Sequence, residues 1–374
     1  MKTQHHFYFC TAESMTHVSS ESVALIVTSP PYPMVRMWDE MFARGRTEIA
    51  DALANDRGAA AFELMHQALD PIWRECLRVL MPGGIACINI GDAVRTVNGD
   101  FRLYPNHARV LHRLSALGLS PLPAILWRKA TNAPNKFMGS GMMPPGAYVT
   151  LEHEYILIFR KGGKRDFKSP EQKRMRRESA YFWEERNNWF SDVWTDLRGT
   201  VQKMTAPKTR HRSGAFPFEL PYRLIHMLSV KGDVVLDPFL GTGTTTAAAM
   251  AAGRNSIGYE QDAALRDAIL DRIRDIVPFA NSRIQERLRR HRVFVREREA
   301  VQKPLKHRNI HYEFPVATRQ EVDLLINPLE TGRVLNDNTA TIAYADHPEP
   351  PPDPPPDPPP DPPKDTIQMD LLDG

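Results

Sequence analysis

The chain has 374 residues, a formal net charge of +3, 42% hydrophobic residues and three cysteines, which is enough apolar material for one large or two medium domains. No cysteines stand in Cys-x-x-Cys spacing, no apolar run nears membrane-spanning length, and the amino terminus lacks a signal-type apolar core. These features argue against a disulfide framework, a zinc or other metal site and a membrane protein, and a soluble cytoplasmic protein is expected.

In chain order, Val23-Ala-Leu-Ile-Val27 has the apolar density and β-branching of a buried strand, and it runs into Thr28-Ser-Pro-Pro-Tyr32. Pro30 and Pro31 supply no backbone N–H and hold φ nearly fixed, so the strand ends and its last carbonyls project from the sheet edge. Ser29 and the Pro30 carbonyl are then acceptors for the hydrogens of an amino group on a flat ring, and Tyr32 offers a face for that ring. A plain Pro-Pro loop is the other reading of the same residues.

Asp70-Pro71 predicts a helix start, with Ile72, Trp73, Cys76, Val79 and Leu80 as its apolar stripe, Gly83-Gly84 as its end and Ile85 to Ile90 as the next strand. Leu151 to Phe159 predicts another strand that opens with Glu152, His153 and Glu154; His153 reads as an ordinary polar residue at a strand end.

Arg160 to Arg186 holds ten Lys/Arg against five acids, with Phe167, Tyr181, Phe182 and Trp183 interleaved. Basic groups beside aromatics suit a nucleic-acid surface, so Lys164, Arg165, Lys168, Lys173, Arg174, Arg176 and Arg177 are candidate DNA contacts. A solvated helix face is the plainer alternative. Arg283 to Arg298, with seven arginines, reads as such a face, packed through Ile284, Leu288, Val293 and Val295. From Asp346 to Gly374 eight acids and one lysine leave the rest of the chain at +10, and Pro348 to Pro363 reads as an extended spacer.

Val234 to Leu236 predicts a short buried strand, Asp237 a turn cap, Gly241 and Gly243 a close backbone approach to a ligand, and Thr244 to Met250 a helix with free N–H groups at its start. Thr246 stands where a dinucleotide fingerprint needs its third glycine, and no lysine lies between Leu236 and Met250, so neither a dinucleotide loop nor a Walker loop fits. A ligand with a cationic centre and an amino-acid end fits better, with Asp237 and Glu260 as partners; Glu260 ends the strand after Asn255 and suits a ribose diol. The alternation of helices and strands implies a doubly wound α/β sheet, with both motifs at the carboxyl ends of its strands.

Asp237-Pro-Phe-Leu-Gly-Thr-Gly243 together with Ser29-Pro-Pro-Tyr32 resembles the S-adenosylmethionine-dependent amino-group DNA methyltransferases, and the catalytic motif preceding the cofactor motif is similar to their beta arrangement. Arg78-Val-Leu-Met-Pro-Gly-Gly84, Leu126-Trp-Arg-Lys129, His153-Glu-Tyr-Ile-Leu-Ile-Phe-Arg160 and Phe216-Pro-Phe-Glu-Leu-Pro-Tyr-Arg-Leu-Ile225 extend the likeness over most of the chain. It implies a Rossmann-like doubly wound mixed sheet, circularly rearranged, with an inserted target-recognition region. The catalytic half would span 1–160 with a loop at 131–148, the recognition region 161–205 and the cofactor half 206–275. A basic extension would span 276–345 and a Pro/Asp-rich tail 346–374. Asp237, Pro238, Phe239, Gly241, Thr242, Gly243, Thr244, Glu260, Phe216 and Pro217 would hold S-adenosylmethionine, and Ser29, Pro30, Pro31 and Tyr32 would be catalytic. Tyr8 to Glu13 would be the strand beside the adenine, although Cys10-Thr-Ala-Glu13 replaces the family's usual Gly-Asp, and Arg212-Ser-Gly-Ala215 replaces a His-Pro-Ala type sequence.

The resemblance implies direct methyl transfer to the exocyclic amine of a base flipped out of double-stranded DNA, in a restriction-modification setting with a restriction endonuclease acting on the same site; monomer and homodimer stay open. None of Cys10, Cys76 and Cys87 follows a proline, which argues against a carbon-5 mechanism through a thiol. In the family Ser-Pro-Pro-Tyr accompanies cytosine N4, with adenine N6 the alternative. A catalytically inactive DNA-binding homologue and a methyltransferase for RNA or protein glutamine are the other classes left open.

Overall fold

The computed structural model describes residues 1–129, 138–197 and 216–346. Its strands are β1 (Lys2–Tyr8), β2 (Val23–Thr28), β3 (Leu80–Ile90), β4 (Ala93–Val97), β5 (Asp100–Tyr104), β6 (Leu119–Arg128), β7 (Met138–Gly139), β8 (Ala147–Tyr148), β9 (His153–Lys161), β10 (Val193–Trp194), β11 (Val234–Asp237), β12 (Asn255–Tyr259), β13 (His307–Arg308), β14 (Pro315–Val316), β15 (Leu329–Asn336) and β16 (Thr339–Tyr344). The helices are α1 (Asp39–Ala43), α2 (Thr47–Ala54), α3 (Gly58–Val79), α4 (Asn106–Ala116), α5 (Pro170–Glu178), α6 (Trp183–Trp189), α7 (Glu219–Leu228), α8 (Thr244–Ala251), α9 (Arg266–Arg274) and α10 (Ile276–Ala300).

Ten strands form one sheet in the order β10-β6-β9-β3-β2-β11-β12-β1-β16-β15. Its centre, β3-β2-β11-β12-β1, is parallel, as the expected circular rearrangement requires: β11 pairs with β2, and β12 with β1. Antiparallel pairs flank it, β3 with β9 and β9 with β6 on one side, β1 with β16 on the other. The mixed, doubly wound sheet follows from period-two burial. Leu25, Val27, Cys87, Ile156, Ile158 and Val235 pack with the α7–α10 side, whereas Val23, Ile26, Ala86, Ile88, Leu157, Phe159 and Leu236 pack with α2, α3 and α4.

Four expectations need correction. Asp70-Pro71 does not start a helix: α3 begins at Gly58 and carries Pro71 inside it, because Ala61, Met65, Leu69, Ile72, Trp73, Cys76 and Val79 form one buried stripe. That stripe outweighs the single backbone bond that a proline removes. Gly83-Gly84 lies within β3, whose pairing jumps from Val23–Leu80 to Leu25–Ile85. Gly83 has φ +79 there, and a Cβ would meet the Arg165 backbone at 2.7 Å. The first strand ends at Tyr8, so the segment to Glu13 follows it as loop. Residues 276–345 are no appendage: β15 and β16 complete the sheet edge, and α10 buries Ile284, Leu288 and Val295. The described part of the tail stops at Asp346, and its Pro-rich spacer lies outside the described residues, as do 130–137 and 198–215 of the loop and recognition regions. Among the described residues no helix is long and apolar enough to cross a membrane.

Candidate active site

Chain direction collects the site at one edge. Ser29 to Tyr32 follow β2, the glycine loop follows β11, Glu260 follows β12, and Asn89 lies near the end of β3. β9 runs antiparallel, so its first residues, His153 and Glu154, lie at the same carboxyl edge. α7 leads down to the start of β11, which places Phe216 and Pro217, just before it, at that edge too; both are buried. α7 packs on α8 and β2, and Phe216 joins its core with Leu220.

The cofactor-type loop is set by three ties. Asp237 is buried and accepts from Thr28 Oγ1 at 2.5 Å, Thr245 Oγ1 at 2.7 Å and Phe239 N at 3.0 Å. Burial pushes its carboxyl up to about 6 against these stabilising bonds. Asp237 therefore braces the loop to the catalytic strand beside Ser29, and its donors come from the protein itself. This corrects the reading of Asp237 as a direct partner of a cationic ligand. Glu260 accepts from Gly241 N and Asp262 N, both at 2.8 Å, and burial raises its pKa. Gly241 and Gly243 have φ of +55 and +79, which only glycine adopts freely, and Gly243 is the N-cap of α8. Phe239 packs edge-on to Trp73 after Pro238, and Thr242 accepts from Arg272.

These residues fit a nucleoside cofactor with an amino-acid end. The first-turn N–H groups of α8 have no partner within the helix, and the buried Thr244 Oγ1 lacks one as well. Glu260 presents a fixed carboxylate at the end of the next strand. Such a cofactor supplies a methyl group on a sulfonium.

The catalytic motif ends in a hydrogen-bonded network that the sequence did not reveal. Ser29 Oγ lies 2.9 Å from Tyr32 Oη, which donates to Glu154 Oε2 at 3.0 Å. Asn89 Nδ2 donates to Tyr32 Oη at 2.9 Å and Glu154 Oε2 at 2.7 Å, and Lys129 Nζ reaches Glu154 Oε1 at 2.6 Å. Burial, and then the Glu154 charge, raise the Tyr32 phenol well above its ordinary value, so it stays protonated. Gly91 makes room: a Cβ would stand 3.0 Å from the Tyr32 ring. His153, the residue beside Glu154, packs edge-on to Tyr155 instead. Burial pushes the thiols of Cys76 and Cys87 well up, which leaves neither suited to nucleophilic attack.

The structure does not bring the basic segment to this edge. Lys161 ends β9 at the opposite end of the sheet, where its Nζ donates to the carbonyls of Leu77 and Leu80. Nine strand residues at about 3.3 Å each put roughly 26 Å between His153 and Lys161. Arg165 pairs with Asp233 through two bonds and Arg177 with Asp323, while Arg174 meets Glu178 and Arg176 lies over Phe167. Lys164, Lys168 and Lys173 are exposed on this same far side. The segment lies between the two halves in sequence, and at the amino-terminal edge in space.

The N6/N4 DNA methylase family model matches residues 23–271. The chain is 49% identical over 347 residues to the type II methyltransferase M.MthZI of Methanothermobacter thermautotrophicus, covering 92% of this chain and 96% of that one. It is 50% identical over 282 residues to the type II methyltransferase M.MjaI of Methanocaldococcus jannaschii, covering 72% and 91%. Among solved structures it is similar to a DNA modification methylase of Thermus thermophilus, TTHA0409, in complex with S-adenosyl-L-methionine, with a TM-score of 0.57 and 30% identity over 73% of this chain and 95% of that one. With the Ser-Pro-Pro-Tyr pocket and the glycine loop at one sheet edge, the chain belongs to the N6/N4 amino-group DNA methylases, enzymes that take their methyl group from S-adenosylmethionine.

Proposed function

We propose that the accepting amine is N4 of cytosine, in a base flipped out of duplex DNA at a specific sequence. The observation that carries this reading is Ser29 at the acceptor position, with its hydroxyl 2.9 Å from Tyr32 Oη. In the family this residue accompanies N4-cytosine, and a carboxylate in its place accompanies adenine N6. An exocyclic amine conjugated with its ring is a weak nucleophile. Ser29 Oγ and the Pro30 carbonyl, as acceptors for its hydrogens, aim its lone pair at the methyl group, while the Tyr32 ring stacks on the base. Water leaves as the base enters, which strengthens these bonds.

DNA approaches the carboxyl edge, where the hairpin of β7 and β8 exposes Met142 and Met143 and stacks Tyr148 on Phe101 of β5. Residues 138–148 are thus the better-placed part of the expected recognition surface. The type II names of both archaeal relatives support a restriction-modification setting with a partner endonuclease of the same specificity.

Incubation of DNA from a methylation-free host with methyl-labelled cofactor, followed by digestion to nucleosides, tests the reading. Label in N4-methyldeoxycytidine is expected, and label in N6-methyldeoxyadenosine refutes it.

A further inference from the structure

We propose that Ser29, Tyr32 and Glu154 form a proton relay that holds the Ser29 hydroxyl as a pure acceptor and removes the proton the amine loses. The inference rests on the reading that Ser29 faces the accepting amine, and it holds for either base.

Donor counting fixes the direction of each bond. An ionised carboxylate only accepts, and Glu154 is met by Tyr32 Oη, Asn89 Nδ2 and Lys129 Nζ at 3.0, 2.7 and 2.6 Å. The single proton of Tyr32 therefore goes to Glu154. Tyr32 Oη has two lone pairs: Asn89 Nδ2 donates to one at 2.9 Å, and Ser29 Oγ, at 2.9 Å, donates to the other. The phenol is then saturated. Ser29 has spent its only proton on Tyr32, and its own lone pairs turn to the substrate, crossed only by a 3.5 Å approach of Asn89 Nδ2. A hydroxyl so committed does the work of a carboxylate in accepting from an amine. The high pKa of Tyr32 supports this direction, because the phenol keeps the proton that it donates.

The same line carries a proton outward. As the nitrogen–carbon bond forms and the sulfur–carbon bond breaks, the sulfonium becomes a neutral thioether and the nitrogen becomes cationic. The nitrogen then gives one proton to Ser29 Oγ, the serine proton passes to Tyr32, and the phenol proton passes to Glu154. One proton is gained by Glu154 and one is lost by the amine. Glu154 is largely buried, and its ammonium partner Lys129 is 40% exposed, so the carboxyl discharges toward solvent on the Lys129 side. Glu154 is a positioning residue: it acts through Tyr32, and Tyr32→Phe keeps the stacking ring while removing the relay.

The test is single-turnover methylation of DNA from a methylation-free host, read as total label, for the wild type, Tyr32→Phe, Glu154→Gln and the double variant. Cofactor dissociation constants and melting temperatures are measured alongside. Each single change should slow methylation by about 10- to 100-fold, within the range of general acid–base effects. Cofactor affinity should stay within about twofold, and the double variant should be no slower than the slower single one, because one broken line cannot be broken twice. Independent, multiplying losses overturn the relay, as does a wild-type rate in either single variant or a fall in cofactor affinity that accounts for the loss. If Glu154→Gln fails to fold, Tyr32→Phe decides by its rate alone. Because the rate is total label, the outcome is separate from the identity of the base, and label in adenine would overturn the N4 reading while leaving this one standing.

Discussion

Replacing Asp237 by asparagine should change how stability depends on pH. The carboxyl rises from 3.8 to about 6 on folding because it is fully buried, and its three donors only partly offset that. A raised acid binds its proton more tightly in the folded state. Its contribution is therefore complete below about pH 3.8 and is lost as pH climbs through about 6. That rise corresponds to roughly 3 kcal/mol. Asparagine keeps the shape: its oxygen can accept from Thr28 Oγ1 and Phe239 N, and its amide can donate to Thr245 Oγ1 once that hydroxyl turns toward the Val27 carbonyl, 3.4 Å away. Urea unfolding of both proteins at pH 4 and pH 7.5 measures the difference. The stability of the asparagine variant relative to wild type should rise by about 3 kcal/mol between these pH values. Parallel pH profiles would refute the claim that Asp237 is a buried brace.

Other changes follow from the same geometry. Ser29→Ala should lower the single-turnover rate by about 100-fold, as loss of a transition-state hydrogen bond does, while cofactor affinity measured by equilibrium binding stays near wild type. Arg165→Ala should destabilise the fold by about 3 kcal/mol in urea titrations, because it strips the buried Asp233 carboxylate of a two-bond partner. Charge reversal at Lys164, Lys168 and Lys173 should leave the salt dependence of DNA binding nearly unchanged, since these lysines face away from the site; a clearly shallower slope would return that segment to the DNA surface.

Local signals were legible in the sequence. β2 ends at Thr28 because Pro30 and Pro31 end it, and the loop after β11 is marked by glycines that need positive φ. Signals that depend on register were not. Glu154 and His153 are adjacent, yet period-two alternation sends them to opposite faces, and only the pairing of Asn89 with Ile156 brings β3 beside Glu154. Lys129 arrives because its N–H bonds the Glu152 carbonyl across from β6. The basic segment misled for a related reason: chain position between two halves says nothing about which sheet edge a returning antiparallel strand reaches. Pro71 misled because a proline read alone marks a helix start, whereas the buried stripe around it decides.

Transfer of a methyl group to cytosine N4 through Ser29 meets its sharpest test in mass spectrometry of nucleosides from a methylation-free host that expresses either the wild type or Ser29→Ala. N4-methyldeoxycytidine is expected with the wild type and its near absence with Ser29→Ala; methylated adenine, or undiminished methylcytosine with Ser29→Ala, would contradict that role for the serine.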